Sequence, residues 1–147
     1  MKGERCIDWD DALTAEEYNL LREAVGWLPL SLRQAERGLA HTTFLAVPRI
    51  AGRAVGMGRA LFDYGYTAYL GDIIVLPEYQ GRGLGYGIMR SLMNQVEAAA
   101  DPGDRVMFVL TAAKDREGFY KKLGFERRPT EQYGAGMVRD IRAGETE

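Results

Sequence analysis

An apolar run, Ile73-Ile74-Val75-Leu76-Pro77, leads directly into Gln80-Gly81-Arg82-Gly83-Leu84-Gly85, and from Leu84 onward apolar residues recur every fourth position at Ile88, Leu92 and Val96, with Met89 and Met93 beside them. A strand therefore feeds a glycine-packed turn that opens an amphipathic helix. This order builds an anion site. Glycine lacks the Cβ that would hold a ligand off the backbone, and the first N–H groups of a helix point outward with the positive end of its dipole behind them. A diphosphate fits such a turn. The spacing fails the dinucleotide fingerprint G-x-G-x-x-G, since the count from Gly81 lands on Tyr86 and the count from Gly83 on Ile88, and no Gly-Lys-Ser/Thr follows to make a P-loop.

The 147 residues are read as a single domain, 1–147. A chain of this length buries about two-thirds of its unfolded surface and needs no metal or disulfide to fold. Nineteen basic residues against twenty-one acidic ones leave a formal charge of −2, which argues against a general nucleic-acid or anionic-membrane binder. The expected partner is small. Cys6 is the single cysteine, expected to be buried; the N-terminus carries no apolar signal core and the longest apolar stretches are broken by Pro29 or Pro48, so the expected location is cytoplasmic. His41 is the single histidine. A zinc site has too few ligands, a Ser-His-Asp triad would rest on His41 alone, and a surface or helix-end role is expected for it.

Residues 6–8 read as a short strand, and Thr14 with Glu17 three residues on is a capping-box pattern for a first helix. Ser31 caps a second helix through Ala40, with Gly38 marking where it begins to end. Residues 42–47 and 54–62 read as a hairpin around 48–53 with a Gly52 turn, and 66–76 as a longer strand. The Leu84 helix runs to Asp101-Pro102-Gly103, and residues 105–110 form the next strand. Asp115 reads as the cap of a short helix that Gly124 ends, and residues 125–128 and 137–141 as two last strands. The fold class is α/β in the α+β sense: a mixed, mostly antiparallel sheet of about seven strands with about four helices.

At this point the chain resembles the Gcn5-related N-acetyltransferases. That family's signature of Gln or Arg, two residues, Gly, one residue, then Gly or Ala is met by Gln80, Gly83 and Gly85, and Val75-Leu76-Pro77 matches its frequent Val-x-Pro. A second motif appears as Phe119-Tyr120-Lys121-Lys122-Leu123-Gly124-Phe125. The resemblance is strong from Tyr66 to Phe125, whereas the first fifty residues, where acceptor specificity is usually set, carry no motif.

The resemblance implies acetyl-CoA as cosubstrate, no metal, and splayed central strands. The backbone of Ile73, Ile74 and Val75 would pair with pantetheine, an N–H on Ile74 or Val75 would stabilise the oxyanion, and Gln80, Gly81, Arg82, Gly83, Leu84 and Gly85 would hold the pyrophosphate. Tyr120 is the candidate acid for the departing thiolate, since a phenol with its ordinary pKa of about 10 is protonated at neutral pH. Asp72 is either the base that deprotonates the acceptor amine or a hydrogen-bonding residue of the strand. Tyr64, Tyr66, Tyr69 and Trp27 either line an acceptor pocket or pack. The implied reaction is direct acetyl transfer to a primary amine of a small-molecule acceptor. A protein amine as acceptor and a non-catalytic CoA-binding or sensing domain remain the alternatives, and a homodimer through a sheet edge or the C-terminal strand is compatible with the pattern.

Overall fold

A computed structural model describes residues 6–145, which fall into two compact units, residues up to Leu110 and residues from Thr111 onward. The first unit begins with β1 (Ile7–Asp10), α1 (Ala15–Ala24) and α2 (Leu32–Ala40). Both helices start where their caps stand. Thr14 accepts from Glu17 N–H while the Glu17 carboxylate accepts from Thr14 N–H, and Ser31 accepts from Gln34 N–H. Gly38 lies inside α2, which ends at His41, whose N–H and ring Nδ1 both reach the Arg37 carbonyl.

The sheet continues with β2 (Phe44–Ile50), β3 (Arg53–Ala54), β4 (Gly56–Phe62), β5 (Thr67–Val75) and β6 (Met107–Val109), and α3 (Leu84–Ala99) separates the last two. The strand order is β1-β2-β4-β5-β6, with β3 paired to β2; every ladder is antiparallel except β5 with β6. Strand β2 runs through Pro48, where a loop is expected from the sequence. The missing proline N–H costs no hydrogen bond there, because Val55 gives its own N–H to the Pro48 carbonyl and turns its carbonyl to Leu76 N–H, both at 2.9 Å.

Apolar residues cover both faces of the sheet. Tyr18 and Leu21 of α1 and Ala35 of α2 pack with Val47, Val55, Met57, Ile74 and Leu76 on one face, and α3 lies on β2, β4 and β5 through buried Ile88, Met89, Leu92 and Val96. Arg49 ties the first elements together. Its guanidinium donates to Glu17 of α1, to Asp10 of β1, and to the carbonyls of Ala12 and Gly52. These bonds hold the carboxyls of Glu17 and Asp10 below the usual carboxylate range.

One irregularity positions everything that follows. Met57 stands opposite Ile74 but Arg59 opposite Gly71, so Gly58 alone faces both Asp72 and Ile73 in a β-bulge. Asp72 there takes a left-handed backbone with φ of 52°. Gly58 also brings α3 close: a Cβ at this position would lie 2.4 Å from Ile88 Cγ2 and 2.9 Å from Ile73 Cδ1 and Leu92 Cδ1.

The second unit contains α4 (Glu117–Lys122). Asp115 does not cap it. That residue has φ of 67° and Arg116 occupies the N-cap without a side-chain bond. Among the described residues neither 125–128 nor 137–141 forms a strand, so the sheet has six strands rather than about seven. Their β-type composition is real, but a strand exists only through a ladder partner, and Met137, Val138 and Ile141 are exposed instead. Cys6 is also exposed, against the expectation of burial, because it precedes β1 and lies outside the packed face.

The packing at Gly58 yields a direct test. Gly58→Val forces methyl groups into Ile88 and Leu92, an overpacking cost of about 2 kcal/mol, which should lower the melting temperature by roughly 8 °C in a thermal unfolding scan.

Candidate active site

The glycine turn adopts the conformation that its composition requires. Gly81 and Gly83 have φ of 77° and 84°, with nothing within 4 Å of a Cβ at either position, so backbone conformation rather than space selects glycine. Gly83 is the N-cap of α3 and accepts the first intrahelical bond from Gly87 N–H at 3.0 Å. The amides of Leu84, Gly85 and Tyr86 precede that bond and have no helical acceptor. They form a cluster of donors at the positive end of a sixteen-residue helix. Arg82 lies 5.4 Å from the centroid of the Tyr79 ring. The Gln80 side chain turns back and donates to the Val75 carbonyl at 3.0 Å, fixing the turn to the end of β5.

Strand β5 presents an open edge next to this turn. Its parallel ladder with β6 pairs Thr67, Ala68 and Tyr69 with Met107, Phe108 and Val109 and stops there. From Leu70 to Val75 no described strand pairs on that side. Leu76 N–H donates to the Val55 carbonyl, and Ile74 and Val75 stand opposite Met57 and Gly56. Backbone polar groups alternate sides along a strand, so Ile74 directs its groups toward β4, while Val75 and, one alternation earlier, Ile73 direct theirs to the open side. Of the two amides that the sequence offers as an oxyanion donor, only that of Val75 faces the open edge. Gln80 covers the Val75 carbonyl, which leaves the N–H.

Asp72 at the bulge is surrounded by donors. Tyr18 gives its hydroxyl to Oδ2 at 2.7 Å, Arg59 gives Nε to Oδ2 at 2.9 Å, and Arg22 gives Nη1 to Oδ1 at 3.4 Å. Taking a proton from an amine would require Asp72 to release one of these bonds. Of the two roles open from the sequence, the geometry favours the hydrogen-bonding one. Tyr18 is held protonated: burial, then the bond to the Asp72 carboxylate and its charge, push the phenol above 10, while the two arginines pull it down less strongly. Trp27 stacks on Arg22 at 5.6 Å, whereas Tyr64, Tyr66 and Tyr69 are exposed.

In the second unit, Tyr120 belongs to a helix that stops in a Schellman motif. Phe125 N–H bonds the Tyr120 carbonyl at 3.1 Å, Gly124 N–H bonds that of Lys121 at 3.1 Å, and Gly124 has φ of 91°. The Tyr120 ring meets the rings of Phe119 and Phe125 edge-on at 5.0 and 6.1 Å. The Gly-Phe pair of the motif therefore encodes a helix stop with its hydrophobic contact.

Tyr18, Arg22 and Arg59 are site residues that sequence reasoning missed. A signal existed for one of them. Arg59 is the lone charge in the run 54–62, and Asp72 the lone acid in the run 66–76, so two adjoining strands each carry one charge of opposite sign.

The raised phenol gives a pH dependence. The stability that Tyr18 contributes is fully present below pH 10 and is lost as pH rises through its higher folded value. Tyr18→Phe should therefore cost about 1 kcal/mol in denaturant melts at pH 8, and the gap to the unaltered protein should shrink above pH 10.

Known proteins resemble this chain in sequence and in fold. A family profile described as an acetyltransferase (GNAT) domain matches residues 40–127. An uncharacterized N-acetyltransferase, ycf52, of Porphyra purpurea is 32% identical over 118 residues, covering 77% of this chain and 65% of the relative, so the chain spans about two-thirds of that curated protein. A probable acetyltransferase of Staphylococcus aureus is 31% identical, with a TM-score of 0.80 over 92% of this chain and all of that one. A GNAT-family acetyltransferase of Brucella melitensis, solved in complex with acetyl-CoA, shares the fold at 22% identity, with a TM-score of 0.61 over 84% of each chain. With the profile covering more than half of its length, the chain belongs to the GNAT acetyltransferase family.

Proposed function

We propose that the protein transfers the acetyl group of acetyl-CoA to a primary amine of a small molecule by direct attack in a ternary complex, in the cytoplasm. The observation that carries this reading is the open edge of β5 ending at the glycine turn: the Val75 N–H faces away from β4, and the turn that Gln80 ties back to Val75 leads into the free amides of Leu84, Gly85 and Tyr86. A coenzyme with amides in its pantetheine arm and a pyrophosphate in its middle matches both groups in that order.

The pantetheine arm pairs with the outward groups of Ile73 as an added strand, and Val75 N–H polarises the thioester carbonyl. Gly81, Gly83, Leu84 and Gly85 bring backbone N–H groups to the pyrophosphate, Gln80 braces the turn against Val75, and Arg82 adds charge beside it. The amine nitrogen attacks the carbonyl carbon, the C–S bond breaks as the tetrahedral intermediate collapses, and the thiolate takes a proton from the Tyr120 phenol, the role the family motif assigns to it. The amine gives its proton to water, with Asp72 holding the arginines rather than acting as base. The proposed transfer draws on no metal ion. Among the described residues no three His, Cys, Asp or Glu side chains group to hold one, and no helix is long and apolar enough to cross a membrane.

Acetyl-CoA at a hundred times its dissociation constant should stabilise the protein by about 2.7 kcal/mol in thermal melts. Tyr120→Phe should lower acetyl transfer, read as thiol release, on the order of a hundredfold with that stabilisation retained. Absence of any acetyl-CoA shift removes the coenzyme site, and an unchanged rate in Tyr120→Phe removes the acid role.

A further inference from the structure

Arg22 of α1 and Arg59 of β4 both bind Asp72, so two guanidinium charges share one carboxylate. No other acid among the described residues pairs with either arginine. Their bonds use only part of each fork. Arg22 donates Nε to the Leu28 carbonyl and Nη1 to Tyr18 and Asp72, and Arg59 donates Nε to Asp72 and Nη1 to Thr42 Oγ1. Nη2 of each arginine has no partner among the described residues. Solvent still reaches the cluster, since the two side chains remain 17% and 20% exposed.

The cluster is also rigid. Both guanidiniums lie over the Tyr18 ring, at 5.6 and 5.7 Å from its centroid, and Arg22 lies a further 5.6 Å from that of Trp27. Side chains fixed by aromatic rings and a shared carboxylate have already lost the rotamer entropy that binding would otherwise cost. What remains is a held, half-buried excess of one positive charge with planar N–H donors, which suits an oxyanion.

We propose that the acceptor amine carries a carboxylate or phosphate, and that the free Nη2 groups of Arg22 and Arg59 bind it. This rests on the acyl-transfer reading of the same strand. Asp72 precedes Val75 by three residues on β5, a rise of at most about 10 Å, so the anion and the reacting amine belong to one small molecule, of the size of an amino acid or an amino-alcohol phosphate.

The test uses the full chain and matched acceptors: an amino carboxylate against its decarboxylated amine, and a phosphorylated amino alcohol against the unphosphorylated one. Thiol release should favour the anionic member at least tenfold in kcat/KM, and whichever pair discriminates more identifies the oxyanion. Arg22→Gln and Arg59→Gln should raise KM for that acceptor about tenfold or more and leave the acetyl-CoA melting shift unchanged, with Arg→Lys at either position restoring part of the loss. Equal use of neutral amines overturns the proposal. So does a loss of acetyl-CoA binding in the arginine variants with acceptor KM unchanged, which would assign the pair to the coenzyme's phosphates.

Should no amine release thiol, the transferase reading fails by itself, and melting decides the anion site. The anionic acceptors should raise the melting temperature of the unaltered protein and not that of Arg22→Gln or Arg59→Gln; no shift in the unaltered protein removes the site. The Lys variants, which keep the charge on Asp72, serve as the folded comparison if a Gln variant is unstable.

Discussion

The two-for-one pairing of Asp72 and Ile73 against Gly58 is the constraint on which the rest of the first unit turns. A left-handed aspartate costs about 1–2 kcal/mol of backbone strain. Three side chains offset it: the hydroxyl of Tyr18 and the guanidiniums of Arg22 and Arg59 all bond its carboxylate. The bulge shifts which backbone groups β5 shows to each neighbour. After it, Ile74 serves β4 and Val75 faces outward, and the parallel ladder to β6 has already ended at Tyr69. The end of β6 opens the sheet edge, and the bulge decides which β5 amides line that opening and holds the charged cluster beside it.

Several short-range features of the fold were legible in the sequence because short-range chemistry determines them, although Asp115 does not cap α4 and Gly38 does not end α2. Thr14 with Glu17 and Ser31 start their helices where the pattern places them, and Gly83 and Gly124 adopt the left-handed conformations that their positions demand. The backbone of Ile73 to Val75 and the turn from Gln80 to Gly85 adjoin as the glycine pattern implies. What was not legible depends on partners distant in the chain. Residues 125–128 and 137–141 have the composition of strands without a ladder among the described residues, and Pro48 enters β2 because Leu76, far along the chain, takes the carbonyl of Val55. The role of Asp72 was unreadable for the same reason, since its partners at positions 18, 22 and 59 come from separate elements.

The two halves of the proposed site use different parts of the polypeptide. In the proposal, main-chain amides at Val75 and at the start of α3 serve the coenzyme, and their positions depend on ladder register and on φ values that glycine permits. The proposed acceptor side draws on the guanidiniums, the Tyr18 ring and Trp27, which single substitutions can replace. Such a division allows acceptor choice to change in relatives while the glycine turn is kept.

The chain has two tryptophans, and each stands beside a different one of these halves. A Cβ at Gly87 would lie 2.7 Å from Trp9 Cζ2, so that indole rests on α3 one turn past the glycine loop, while Trp27 contacts Arg22. Intrinsic emission therefore carries two reporters, and replacing either tryptophan with phenylalanine leaves the other to report on its own half alone.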